Sequence, residues 1–341
     1  MPHSQSKTRE LLSQNKYVLL DGATGTELEK RGVNVNDSLW SGIAILSHPQ
    51  TLQDLHLEYL RAGADIIISA SYQLSKQAIL ERGWNPDELY QKSIELCYNA
   101  QQIHFKETGI DSSIASSIGP YGALLCDGSE FDGKYRGATD DQIRDYHEAR
   151  LNFMFNDPRV DIIAFETIPK LQEIKVLTEM INNLNANSKH PKDYFFASTC
   201  NDDYQLADGS NWDDVLQYLN DNADDHLIAV GANCCKLLNT TKIISKIDSA
   251  LNKAPVLLDN NVKIIMYPNS GEVYDGHTKK WHIDSHLKTP NLGLEMYRKA
   301  REWIQFSNVA IVGGCCRTSS DDTKILKSLI DELPSNDDTN N

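Results

Sequence analysis

Apolar residues cluster along the chain in eight short runs, each followed by a polar or glycine-rich turn and then a longer amphipathic stretch. The runs are YVLL (17–20), DIIIS (65–69), SIASSI (113–118), DIIAF (161–165), YFFAST (194–199), LIAV (227–230), VKIIMY (262–267) and VAIV (309–312). Their length and β-branched content predict buried strands. Between them lie stretches of helical period. In HPQTLQDLHLEYLRAGA (48–64), Leu52, Leu55, Tyr59 and Leu60 share one face and Gly63 marks the stop. Further helices are predicted over 87–109, 139–155 and 171–184.

Strands separated by helices pair in parallel, because a parallel neighbour can be reached only by a crossover. Eight such units match an α/β single domain folded as a (β/α)8 TIM barrel, a fold of about 250 residues plus insertions. A doubly wound sheet is the alternative. The polar ends, 1–12 and 334–341, are expected to be flexible and to flank a barrel domain over 13–333. The segment 182–193 is expected to be a surface loop.

Composition narrows the setting. The chain has 341 residues, 40% of them hydrophobic, enough for a substantial core. Its net charge of −15, from 48 acidic against 33 basic residues, disfavours nucleic acid and anionic lipid as partners. No apolar stretch nears the roughly 20 residues that span a bilayer, and the first residues carry no secretory apolar core. A cytoplasmic protein is expected. Seven cysteines, an odd number in a chain too long to need stapling, argue for free thiols over a disulfide framework.

In a TIM barrel the chemistry sits where strands end, so the residues after each run are informative. They include Asp21 in LLDGATGTELEKRG, SASYQ, GPYGA, Glu166 in FETIP, GANCC, YPNSGE and GGCCRT. Four of the seven cysteines fall at the sixth and eighth strand ends. Cys234 or Cys235, with Cys315 and Cys316, would supply three thiolates and leave one position open, the pattern of a catalytic zinc. Sulfur ligands favour zinc over magnesium or calcium. Against this stands the ordinary reading of paired cysteines as small buried apolar residues, with no C-x-x-C to help. Asp21 and Glu166 have their own ordinary role as helix caps. No nucleotide-binding glycine fingerprint is present, and DGSEFDGKYRG fails as a calcium loop because Phe131 occupies a ligand position.

Taken in order, LLDGATGTELEKRG, ASYQ, GPYGA, FETIP, GANCC, YPNSGEVYD and GGCCRT resemble the homocysteine S-methyltransferase family, specifically its S-methylmethionine or S-adenosylmethionine branch. The resemblance runs from about residue 17 to 333. It implies zinc held by Cys234, Cys315 and Cys316, with Cys235 turned elsewhere, and the homocysteine amino group held by Asp21 and Glu166. Ser69 and Asn233 are further substrate contacts under this reading. Tyr72, Tyr121 and Trp281 are candidates to meet a sulfonium donor by cation–π attraction, with ordinary packing as the competing role. The implied reaction is methyl transfer from S-methylmethionine or S-adenosylmethionine to homocysteine, giving methionine, without a separate protein nucleophile. An apo cluster is expected to be prone to oxidation, and Gly313 and Gly314 are expected to let the backbone turn sharply. Two other readings remain from the residues themselves: a noncatalytic zinc or thiol redox sensor, and an oxygen-ligand barrel enzyme with passive cysteines.

Overall fold

The computed structural model describes residues 6–275, 280–287 and 291–333. All eight apolar runs are strands. They are β1 (Val18–Leu19), β2 (Ile66–Ile68), β3 (Ser113–Ile118), β4 (Ile162–Phe165), β5 (Asp193–Ser198), β6 (Leu227–Asn233), β7 (Lys263–Tyr267) and, after a hairpin β8 (Glu272–Asp275) and β9 (Lys280–Ile283), β10 (Val309–Val312). Each pairs in parallel with its neighbour in the order β1-β10-β7-β6-β5-β4-β3-β2. A bridge from Leu20 to Ile66 joins the two ends and closes the ring. Closure excludes the doubly wound alternative, which leaves two free edges.

The runs are continuously apolar because both faces of each strand are covered. In β4, Ile162 and Ala164 belong to the cluster inside the barrel, while Ile163 and Phe165 belong to the layer under the helices. In β5, Phe195 and Ala197 point inward and Tyr194 and Phe196 outward. The helices form where the sequence predicts them. Pro49–Arg61 buries Leu52, Leu55, Tyr59 and Leu60, and Gly63 stops it at φ +100°. Asp140–Asn156 begins with a capping box between Thr139 and Gln142.

Two expectations are corrected. Residues 7–12 are not flexible: they lie in a helix, Lys7–Gln14, capped by Ser6. Leu11 and Leu12 pack against the barrel-interior cluster, and Arg9 Nε meets Asp193 Oδ1 at 3.0 Å at the start of β5. Likewise, 182–186 continue the helix Leu171–Ala186, because Ile181 keeps its apolar face in the core. Asn185 then ties the following turn down, accepting from Lys192 N at 2.8 Å and donating to Asp224 Oδ2 at 2.9 Å. The β8–β9 hairpin was not foreseen. The tail 334–341 lies outside the described residues. Among those described, no helix is long and apolar enough to cross a membrane.

Candidate active site and metal centre

The three cysteines meet because the ends of β6 and β10, on either side of β7, turn over the same mouth. Cys234 follows β6 in the left-handed region, at φ +49°, with its N–H donating to Tyr267 O at 3.2 Å. A non-glycine residue there is strained, and such strain persists only where the surroundings enforce it. The next residue goes the other way. Cys235 is buried in the layer under the helices with its sulfur 4.0 Å from Met266 Sδ, and burial pushes its thiol up to about 12.

After β10, Gly313 N donates to Met266 O at 3.1 Å, Gly314 N to Asp21 O at 3.2 Å and Cys315 N to Pro268 O at 2.7 Å. The two glycines are needed for closeness, not for a left-handed turn. Neither has a positive φ; a Cβ on Gly313 would lie 2.6 Å from Leu20 Cβ, and one on Gly314 would overlap Thr318 Oγ1.

The sulfurs of Cys234, Cys315 and Cys316 all lie within 4.8 Å of one another, with Cys234 and Cys316 at 3.9 Å. Cys234 and Cys315 are joined as a disulfide across Cα atoms 5.4 Å apart and 81 positions of sequence. Such a trio suits a thiophilic ion: three soft donors converge from two rigid strand ends, with no oxygen ligand among them. The pair must be reduced before it can ligate, since a disulfide sulfur offers no thiolate. Burial, followed by the Glu166 charge, pushes the Cys316 thiol up to about 12, so without a cation it stays protonated.

Two carboxylates share this mouth. Glu166 continues the inward parity of Ile162 and Ala164 in β4 and stands at the top of the barrel interior. Its Oε1 accepts from the Ser117 hydroxyl and its Oε2 from Tyr267 OH at 3.2 Å. Asp21 is 2% exposed and its Oδ2 accepts from Ile68 N at 2.8 Å. Burial raises the pKa of both, and Glu166 raises Asp21 further. Two desolvated acids, with no ion pair to either carboxylate among the described residues, form a site that favours a positive group.

The homocysteine S-methyltransferase family profile matches residues 18–330. The chain belongs to the homocysteine S-methyltransferase family. It is 35% identical to the homocysteine S-methyltransferase of Escherichia coli K12 over 326 residues, 94% of this chain and 97% of that one. Crystal structures of the E. coli homocysteine methyltransferase MmuM superpose closely. The metallated form gives a TM-score of 0.78 at 31% identity, covering 94% of this chain and 98% of that one. The oxidised form gives 0.79 at 30%, covering 95% and 99%.

Within this family member the remaining candidates divide. Asn233 accepts from Thr167 N at 2.8 Å and donates to Thr167 Oγ1 at 2.9 Å. It thereby holds the residue after Glu166, which sits at φ +64°. Ser69 Oγ contacts Ser71 Oγ at 2.8 Å and accepts from Ser117 N at 3.3 Å. Both are hydrogen-bonded within the rim that carries Glu166. Tyr72 lies beside Thr167, and its ring lies where a Cβ on Gly119 would fall, 2.6 Å from Tyr72 Cδ2. Tyr121 instead joins an aromatic cluster with Tyr135 and Tyr146, at ring distances of 5.3 and 5.7 Å. Its N–H donates to the buried Glu173 at 2.6 Å. Trp281 stands on β9 opposite Tyr274 and is half-buried.

Sequence reasoning overlooked Ser117, Tyr267 and Arg150. The first two were accessible through parity, since each follows an inward residue by two positions: Ala115 in β3 and Ile265 in β7. Arg150 is 1% exposed on a helix, far from any strand end in sequence. Its guanidinium donates to Ser71 O at 3.1 Å, Tyr72 O at 2.5 Å and Gly119 O at 2.8 Å, clasping the ends of β2 and β3. No local motif announces that role.

Proposed function

We propose that this protein transfers a methyl group from a sulfonium donor, S-methylmethionine or S-adenosylmethionine, to homocysteine, forming methionine, with zinc as cofactor. The observation that carries the reading is the meeting of three cysteine sulfurs and two buried carboxylates at one barrel mouth. Cys234, Cys315 and Cys316 would hold zinc, which when bound keeps a substrate thiol in its thiolate form at neutral pH.

The chain's own residues do the rest. Asp21 and Glu166 bind the homocysteine ammonium by charge-assisted hydrogen bonds and so aim its sulfur. Ser117 and Tyr267 hold the Glu166 carboxylate in place. In the transfer, a sulfur lone pair forms the new bond to the methyl carbon while the bond to the sulfonium breaks and its electron pair returns to the donor sulfur. The leaving group departs as a neutral thioether, so no general acid is required. A cytosolic setting, where thiols stay reduced, suits an enzyme that works with three free cysteines.

The test is methionine formation by reduced, zinc-loaded protein with each donor in competition. Turnover with at least one is expected; none with either overturns the reading. Stoichiometric zinc that survives Cys315→Ser would remove the metal assignment. The disulfide keeps the redox-sensor reading in view; it predicts zinc release on oxidation but no methionine at all.

A further inference from the structure

Both substrates of the proposed reaction are amino acids, so two ammonium groups must be received at one mouth, and Asp21 with Glu166 accounts for only one. A third carboxylate stands at the rim. Glu130 lies in a short turn of helix, Ser129–Asp132, after β3, and its carbonyl accepts from Thr199 Oγ1 at 2.8 Å just past β5. That bond pins it to the C-terminal side of the barrel, over the arc from β3 to β5 that carries Glu166 at the end of β4.

Its side chain is unlike the other acids there. Glu130 Oε2 is buried and accepts no hydrogen bond from any of the described residues. The neighbouring cations are engaged elsewhere: Arg136 pairs with Asp127, and Lys134 with Asp132 at 3.0 Å. Glu130 and Glu166 both act on the buried Tyr72 phenol, so the two acids lie near one ring at this rim. A buried acceptor without a partner is costly, more so if charged, and a cation arriving there recovers that cost.

We infer that Glu130 is the subsite for the α-ammonium of the methyl donor, separate from the carboxylate pair that receives homocysteine. The inference rests on the proposed reaction for the identity of the ligand. The ligand class is an α-amino acid bearing a sulfonium, which both donors satisfy. With homocysteine drawn to Asp21 and Glu166 and the donor to Glu130, each of the two ammonium groups has a carboxylate of its own. Burial raises the Glu130 pKa, and its neighbours Asp127 and Asp132 add to the rise, so an incoming ammonium also relieves the cost of ionising it.

The experiment is calorimetric binding of S-methylmethionine and, separately, of homocysteine to the reduced, zinc-loaded full chain and to its Glu130→Gln variant. Expected is a loss of S-methylmethionine affinity of about tenfold or more, with homocysteine affinity within twofold of the parent and KM for the donor rising in parallel. Unchanged donor affinity, an equal loss for both ligands, or no binding of S-methylmethionine to the parent each overturns the subsite. A parent that binds both ligands but forms no methionine sinks the proposed reaction while leaving the Glu130 result to stand on the binding data.

Discussion

Cys234 and Cys235 are adjacent in sequence yet face opposite sides of the barrel wall. The left-handed backbone at Cys234 keeps its sulfur on the mouth side and delivers Cys235 to the apolar layer beside Met266. Cys235→Ala should therefore retain one zinc per chain after desalting under reducing conditions, whereas Cys234→Ala and Cys316→Ala should each lose it; atomic absorption distinguishes these. Cysteine spacing could not choose between the pair, because ligands from separate strands leave no local pattern. The carboxylates make the complementary case. Each is costly to bury, so Glu166→Gln should leave the melting temperature unchanged or raise it. Its KM for homocysteine should rise about ten- to a hundredfold, the worth of a hydrogen bond to a charged group. A variant that melts earlier with an unaltered KM would mark Glu166 as a structural acid.

At the scale of elements, the strands and the main helices were legible, and the segments ordered by distant partners were not. A continuous apolar run has one outcome when both faces are covered, so all eight strands stand where the runs predicted them. The N-terminal helix, the extension of Leu171–Ala186 and the β8–β9 hairpin were missed because distant partners order them: Asp193 for Arg9, Asp224 for Asn185. The GGCC turn shows the same dependence. Gly314 is required by Thr318, whose hydroxyl donates to Cys315 O at 2.7 Å and accepts from Ala23 N at 3.2 Å, so it cannot swing aside. Gly314→Ala should destabilise the fold by about 1–3 kcal/mol, the usual cost of overpacking. Chemical denaturation of the reduced apo protein should register it without any contribution from metal. No loss of stability would mean the turn has slack that the close approach denies.

At the scale of the whole molecule, closure of the ring converts a list of strand ends into a site: Asp21, Glu166 and the cysteines are distant in sequence and share a mouth only because β1 returns to β2. Closure also buries groups that dislike burial, and this shapes stability against pH. His56, on Pro49–Arg61, is fully buried with neither ring nitrogen hydrogen-bonded among the described residues, and burial lowers its pKa to about 4. Between its ordinary value of 6.5 and about 4, the unfolded chain holds a proton that the folded chain refuses. His56 therefore removes stability as pH falls through that window. The full loss is about 3 kcal/mol, from roughly 2.5 units at 1.36 kcal/mol each. The raised acids Asp21 and Glu166 act with the opposite sign, since their stabilising protonated forms are lost as pH rises through their folded pKa values. The net curve blends both, and a difference isolates the imidazole. His56→Leu removes two unpartnered nitrogens and should stabilise modestly at pH 7.5, with an advantage that widens steadily from pH 6.5 to pH 4. Parallel urea titrations of the two proteins across that range measure it, and parallel curves with a constant offset would show that His56 finds a partner or water on protonation.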